Sequence, residues 1–188
     1  MRPLHCMRVN APAALPRLLI VDDEEPLAKV MGRTLLSRGF ESDIALTAAQ
    51  ARERFEATDY AVALLDVRLP DESGYGLLEE LRSRRPDIAV VMISGVDDPE
   101  LGRAAVEHGA YGYLVKPVGA TALYLTVVNA LRRRSLELDY HANLQRLEAM
   151  VGERAEQMRR AVELQVDAAA FSIEGRRVRA RGAFHAGP

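Results

Sequence analysis

The chain contains little from which a disulfide, a cysteine-based metal site or a membrane span could be built. Its single cysteine, Cys6, has no partner for an internal disulfide and no neighbours at metal-ligand spacing, which is typical of a reducing compartment. No apolar run approaches the roughly 18 residues that cross a bilayer, and residues 1–16 contain no continuous apolar segment of the signal-peptide type. We therefore expect a cytoplasmic protein without membrane association, with a flexible leader over residues 1–16.

Lysine is also scarce. Only Lys29 and Lys116 are lysine among the 25 basic residues, and the others are arginine. A position that needs only a positive charge would be filled by arginine in such a chain, so each lysine is informative. The formal net charge of -2 indicates neither a nucleic-acid-binding surface nor a membrane-binding one.

Five short apolar runs alternate with five segments whose apolar residues recur at helical spacing. The runs predict strands at residues 18–21, 42–46, 60–66, 88–93 and 111–115. Right-handed crossovers place a helix between successive parallel strands. The alternation therefore predicts an α/β fold with a five-stranded parallel sheet covered on both sides by five helices. We expect the doubly wound, flavodoxin-like strand order 2-1-3-4-5 for this sheet.

Polar side chains follow four of these strands. Asp22 and Asp23 follow the first strand, Asp66 ends the third, Ser94 follows the fourth and Lys116 follows the fifth. The first and third strands are neighbours in the predicted order, so their three carboxylates converge at one edge of the sheet. The repulsion within such a cluster is relieved by a hard divalent cation with oxygen ligands, which predicts a Mg²⁺ site.

These groups suit phosphoryl transfer. Asp66 can attack phosphorus in line as a covalent nucleophile, while a cation and the Lys116 ammonium stabilise charge on the phosphoryl oxygens and Ser94 donates to them. The alternative is that each acid caps a helix or is solvated and that Ser94 satisfies a turn. That alternative accounts for any one of these residues but not for five of them at four strand ends.

Four segments carry a resemblance to a known family. They are LIVDDE at residues 19–24, LDVRLP at 65–70, MISG at 92–95 and GAYGYLVKP at 109–117. In this order and spacing they resemble the receiver domain of two-component response regulators, and we assign that domain to residues 17–134.

The resemblance implies a role for each residue at the sheet edge. It implies that Asp66 accepts a phosphoryl group from a histidine kinase or a phosphotransfer protein. Asp23 and Asp66 would bind Mg²⁺ directly, Asp22 would act through water, and Arg68 would supply its backbone carbonyl. The protein would then be a regulator and not an enzyme, apart from self-catalysed phosphorylation and dephosphorylation of its own aspartate.

The resemblance also implies a conformational switch. Ser94 and Tyr113 match the hydroxyl and aromatic residues of the family's switch pair, and Lys116 matches its phosphate-contacting lysine. The family match further predicts a cis bond between Lys116 and Pro117. Movement of Ser94 towards the phosphoryl group would let Tyr113 turn inward, which remodels the face formed by the fourth helix, the fifth strand and the fifth helix.

Residues 135–166 predict a helix that continues from the last helix of the domain. Apolar residues recur there in alternating steps of four and three, with Arg154 as the exception; they are Tyr140, Leu144, Leu147, Val151, Met158 and Ala161. This spacing is typical of a coiled-coil seam and favours a homodimer through this helix. The face formed by the fourth helix, the fifth strand and the fifth helix is the other possible dimer surface. The open alternative is a solvent-exposed helix held by charge pairs. We expect residues 167–188 to be disordered, and no DNA binding, because no helix-turn-helix pattern follows the receiver.

Two further functional alternatives stay open. Residues 132–138 and 151–154 are similar to the linker that joins receivers to cyclic-di-GMP phosphodiesterase domains, so the chain can also be interpreted as a truncated member of such a regulator. The second alternative is a Mg²⁺-dependent phosphatase of the haloacid dehalogenase type. That class needs a second aspartate two residues after the nucleophile, where this chain has Arg68.

Overall fold

Five strands and five helices alternate along the chain. The structure, a computed structural model, describes the backbone of residues 16–182 and the side chains of residues 16–160. The elements are β1 Leu18–Val21, α1 Glu25–Leu36, β2 Ser42–Ala45, α2 Ala48–Ala57, β3 Val62–Asp66, α3 Gly74–Arg84, β4 Ala89–Ser94, α4 Pro99–Glu107, β5 Gly112–Val115 and α5 Ala120–Gly182. All strand pairs are parallel and the order is β2-β1-β3-β4-β5, which confirms the predicted flavodoxin-like fold.

The central strands are buried on both faces, as their continuous apolar sequences predict. Successive side chains of a strand point to opposite faces. Val62 and Leu64 of β3 therefore pack in one cluster with α1 and α5, whereas Ala63 and Leu65 pack in the other with α2, α3 and α4. This two-sided core fixes the carboxyl ends of β1, β3, β4 and β5 along one edge of the sheet.

The ends of α2 follow from local sequence. The Thr47 hydroxyl oxygen accepts a hydrogen bond from the Gln50 amide at 3.1 Å, and the Gln50 side chain accepts one from the Leu46 amide at 2.9 Å. This is the predicted capping box in a variant form, because the Gln50 side chain binds the amide of Leu46 and not that of the N-cap residue Thr47. It satisfies one of the unpaired amides that every helix start presents.

The last helix of the chain is longer than the predicted helical extension. The sequence analysis places the end of the extension at residue 166 and expects a disordered tail, whereas α5 continues to Gly182. Residues 167–182 contain no proline and include three consecutive alanines at 168–170, and these features favour helix even where no apolar period is visible. Residues 1–15 of the predicted leader and the last residues of the chain, 183–188, lie outside the described residues.

The chain divides into two compact units at Leu138, so α5 begins in the first unit and continues in the second. In the first unit, Leu123, Val127 and Ala130 of α5 are buried against the sheet. In the second unit, the apolar seam residues described are all exposed, from 38% for Leu144 to 73% for Met158. No helix among the described residues combines the length and the apolar character that a membrane span needs.

Candidate functional site

Three aspartates lie together at the carboxyl edge of the sheet. Val21 of β1 pairs with Leu65 of β3, so the residues that follow, Asp22 and Asp66, come level with each other. Asp22, Asp23 and Asp66 each offer a carboxylate oxygen, and the three oxygens lie within 4.8 Å of one another. We call these three residues the acidic cluster. Asp22 and Asp66 are buried, whereas Asp23 faces solvent.

Lys116 enters this cluster from the end of β5. Its Nζ lies 2.5 Å from Asp66 Oδ2, 2.9 Å from Glu24 Oε1 and 3.0 Å from Asp22 Oδ2, and its side chain is only 13% exposed. Burial alone would lower the pKa of Lys116, but the hydrogen bonds to Asp66 and Glu24 and the charge of Asp22 raise it above the ordinary value. The ammonium therefore stays charged among the carboxylates.

Asp22 is the carboxylate of the cluster whose pKa is raised by burial. Burial raises the pKa of its carboxyl, although the Lys116 ammonium and the Glu24 amide partly offset the effect. Its Oδ1 accepts from the Glu24 amide at 2.9 Å, whereas the buried Oδ2 accepts no hydrogen bond and has only the Lys116 Nζ, 3.0 Å away, as an ion-pair partner. A buried carboxylate oxygen without a donor, beside two more carboxylates, fits a hard divalent cation.

Ser94 and Tyr113 meet at one backbone carbonyl. The Ser94 hydroxyl and the Tyr113 phenol both donate to Val96 O, each at 3.1 Å, and Ser94 Oγ also accepts from Val96 N at 3.0 Å. Ser94 is 2% exposed, whereas the Tyr113 bond lies at the surface. The two residues that the sequence pairs as a switch are thus connected through Val96.

The β3–α3 loop, residues 67–73, is folded tightly back on Asp66. The Arg68 amide donates to Asp66 Oδ1 at 2.9 Å, and the Gly74 amide donates to Val67 O at 2.9 Å. A Cβ at position 74 would lie 2.0 Å from the Asp66 carbonyl oxygen, so only glycine fits there. The peptide bond between Lys116 and Pro117 is cis.

The structure brings together Asp22, Asp23, Asp66 and Lys116, and it places Ser94 at the end of the neighbouring strand, β4. Sequence reasoning missed Glu24 as a partner of Lys116, although it is the third acid of the run that begins at Asp22. The hydrogen bonds that Ser94 and Tyr113 donate to the Val96 carbonyl were not predicted, because a backbone acceptor leaves no signal in the residue type.

The match to known proteins agrees with this geometry. Residues 18–128 match the family model described as response regulator receiver domain, and the chain belongs to that family. It is 40% identical over 105 residues to the photosynthetic apparatus regulatory protein RegA of Rhodovulum sulfidophilum, a match that covers 56% of this chain and 57% of RegA. A solved CheY-like receiver domain from Methanospirillum hungatei JF-1 aligns with a TM-score of 0.62 at 31% identity, covering 66% of this chain and 99% of that one.

A longer alignment relates the chain to a larger protein. The cyclic di-GMP phosphodiesterase of Thermotoga maritima is 33% identical over 130 residues, which is 69% of this chain and 35% of that protein. The chain thus spans little more than half the length of RegA and about a third of the phosphodiesterase.

Family membership supports several general statements. Receiver domains bind Mg²⁺ at an acidic pocket, and Asp22, Asp23 and Asp66 form such a cluster here. Receiver domains are parts of two-component response regulators.

Proposed function

We propose that this protein is a response regulator whose Asp66 accepts a phosphoryl group from a histidine kinase or a phosphotransfer protein in the cytoplasm. One observation carries the proposal: Asp66 is a buried carboxylate at the edge of the sheet, with the Lys116 ammonium 2.5 Å away and two further carboxylates beside it. This arrangement holds an attacking oxygen next to an ammonium that neutralises charge on an arriving phosphoryl group, and next to carboxylates that would hold a cation for the same purpose.

Asp66 and the residues around it have different roles in the transfer of the phosphoryl group. An oxygen of Asp66 forms the new bond to phosphorus while the bond from phosphorus to the donor nitrogen breaks, and the leaving imidazole keeps that electron pair. Asp23, Asp66 and the Arg68 carbonyl would hold Mg²⁺ directly, and Asp22 would act through water. The bound cation would neutralise charge on the phosphoryl oxygens.

Lys116 must exchange partners during this step. Before transfer it neutralises Asp66 and Asp22, and afterwards it pairs with the phosphoryl oxygens. Arg68 stands where a phosphatase of the haloacid dehalogenase type has its second aspartate, so we do not propose hydrolysis of other phosphate esters.

The shared contact at Val96 supports a mechanism by which phosphorylation of Asp66 changes the α4–β5–α5 face. A phosphoryl group of roughly two negative charges attracts the Ser94 hydroxyl, which then leaves the Val96 carbonyl. Tyr113 bonds to the same carbonyl and would turn inward when the loop between β4 and α4 rearranges. The α4–β5–α5 face then changes its surface.

Acetyl phosphate with Mg²⁺ tests the acceptor assignment. The wild-type protein should gain one phosphoryl group per chain, measured by intact mass and phosphate-affinity electrophoresis, and Asp66→Asn should gain none. Asp59→Asn, at an aspartate that is 96% exposed, is the matched control and should be labelled like the wild type. Undiminished labelling of Asp66→Asn would refute the proposal.

We further propose that a second copy of the chain is the partner of the helical extension. The proposal is supported by the exposed seam Tyr140, Leu144, Leu147, Val151 and Met158, whose 4-3 spacing extends over nearly three heptads with one interruption, at Arg154. Sedimentation velocity should show a dimer that Leu147→Glu dissociates and Gln145→Glu, one position off the seam, does not. A monomer with and without phosphorylation would contradict the proposal.

The similarity to the Thermotoga phosphodiesterase supports a second candidate function. Its alignment over 130 residues is longer than the receiver domain itself, which agrees with a receiver and linker that control a cyclic-di-GMP phosphodiesterase domain. The reading frame downstream of codon 188 tests this candidate. A continuing frame that encodes such a domain supports it, and a stop codon there rejects it.

A further inference from the structure

The β3–α3 loop, which is hydrogen-bonded to Asp66 at one end, is also hydrogen-bonded to α2, away from the acidic cluster. Both carboxylate oxygens of Asp71 accept hydrogen bonds at 3.0 Å from the first amides of α2, those of Ala48 and Ala49. These two bonds hold the pKa of the Asp71 carboxyl below its ordinary value, so Asp71 is a charged cap on a helix that it does not belong to. The cap therefore ties the loop to α2.

A guanidinium reinforces this attachment. Arg52 Nη2 donates to both carboxylate oxygens of Glu72, at 2.8 and 2.9 Å, while its Nε donates to Glu80 at 2.7 Å. The bonds to Glu72 and Glu80 raise the pKa of Arg52 further above its ordinary value. One side chain of α2 therefore binds the loop, through Glu72, and α3, through Glu80. We call Asp71, Arg52 and Glu72 the loop clamp.

The loop clamp makes no direct contact with the site chemistry. Among the side chains that the structure describes, none of its members hydrogen-bonds to the acidic cluster. Only residues 67–70 separate Asp66, held by its strand, from Asp71, held by α2. Arg68 lies within that short span, and Pro70 restricts it further.

We infer that Asp71 and the Arg52–Glu72 pair are positioning residues, which fix the backbone at Arg68 before a divalent cation arrives. The inference rests on the proposed function, in which the Arg68 carbonyl is a Mg²⁺ ligand. A ligand already held in place loses little conformational freedom on binding, so the clamp raises cation affinity without touching the ion. Release of the clamp should lower that affinity more than it lowers the stability of the fold.

The first test compares two caps of the same helix. Asp71→Ala and Thr47→Ala each remove hydrogen bonds from the start of α2, but only Asp71 belongs to the β3–α3 loop. Mg²⁺ affinity is measured by calorimetry and by amide chemical shifts, and stability by urea denaturation. We expect affinity to fall by roughly tenfold in Asp71→Ala, and to match the wild type in Thr47→Ala.

The second test compares the two acidic partners of Arg52. Glu72→Gln should weaken Mg²⁺ binding, whereas Glu80→Gln, which removes the partner on α3, should not. Equal affinities within each pair of variants would overturn the inference and leave the proposed function intact. A wild-type chain that binds no Mg²⁺ would instead refute the proposed function and the inference with it.

Discussion

Replacement of Gly74 by alanine tests how closely α3 approaches the proposed acceptor. The Cβ of an alanine there would lie 2.0 Å from the Asp66 carbonyl oxygen and 3.2 Å from the Val67 Cα. Both are backbone atoms, one of Asp66 itself and one of the residue that follows it, and neither can rotate away. Gly76, two residues further along α3, has no atom within 4 Å of its own Cβ position. Gly76→Ala is therefore a control in the same helix.

The magnitude follows from the contact distance. Non-bonded heavy atoms prefer separations of about 3.5 Å or more, so the start of α3 or the end of β3 must move by about 1.5 Å. Forced overpacking of this kind costs about 3 kcal/mol of unfolding free energy. Gly76→Ala meets no atom and should stabilise the helix by about 1 kcal/mol. The two variants should therefore differ by about 4 kcal/mol.

Urea denaturation followed by circular dichroism measures this difference, and labelling by acetyl phosphate measures its effect on the site. Gly74→Ala should be phosphorylated more slowly than Gly76→Ala, because the strain falls on the backbone of Asp66. If Gly74→Ala is as stable as the wild type and is labelled at the same rate, the inferred close approach is wrong.

Three further perturbations have expected outcomes. Lys116→Met removes the cation that competes for Asp66, so Mg²⁺ should bind severalfold more tightly by calorimetry while labelling by acetyl phosphate slows; weaker Mg²⁺ binding would contradict this. Burial raises the pKa of Tyr111 from 10.0 to about 12, together with the hydrogen bond to the Glu137 carboxylate and the negative charge of Glu137. The protonated phenol therefore contributes stability below pH 10, and this stability is lost as the pH rises through 12. Tyr111→Phe should cost about 1 kcal/mol at pH 8 and lose less stability than the wild type between pH 10 and 12 in urea titrations; parallel pH profiles would argue against the bond. Mg²⁺ at a hundred times its dissociation constant should stabilise the wild type by about 2.7 kcal/mol and Asp23→Asn by much less, and equal stabilisation of both would exclude Asp23 as a ligand.

Local sequence predicted those features that depend on neighbouring residues. The strand ends at Val21, Asp66 and Val115 agree with the structure because apolar runs give way there to charged residues or proline. The capping box at Thr47 was equally visible, because both of its partners lie within four residues. The helix beyond residue 166 was missed because its propensity does not show as an apolar period.

The scarcity of lysine drew attention to Lys29 and Lys116, and only the folded structure shows that their surroundings differ. Lys29 forms an exposed ion pair with Glu25 one helical turn away, whereas Lys116 is only 13% exposed and contacts three carboxylates. The sequence treats the two alike. Their difference arises because β5 ends beside β4, across the sheet edge from Asp22.

The sequence by itself determined which chemical groups lie at the strand ends and how strands and helices alternate along the chain. Hydrophobic period, turn residues and strand-end polarity are local properties, and they sufficed to predict the parallel sheet and the acidic cluster. Tertiary structure alone decided the pairs that join distant residues, such as Asp71 with the start of α2, Glu24 with Lys116, and Ser94 with Tyr113 through Val96. Such pairs form only after packing has brought separate elements to hydrogen-bond distance.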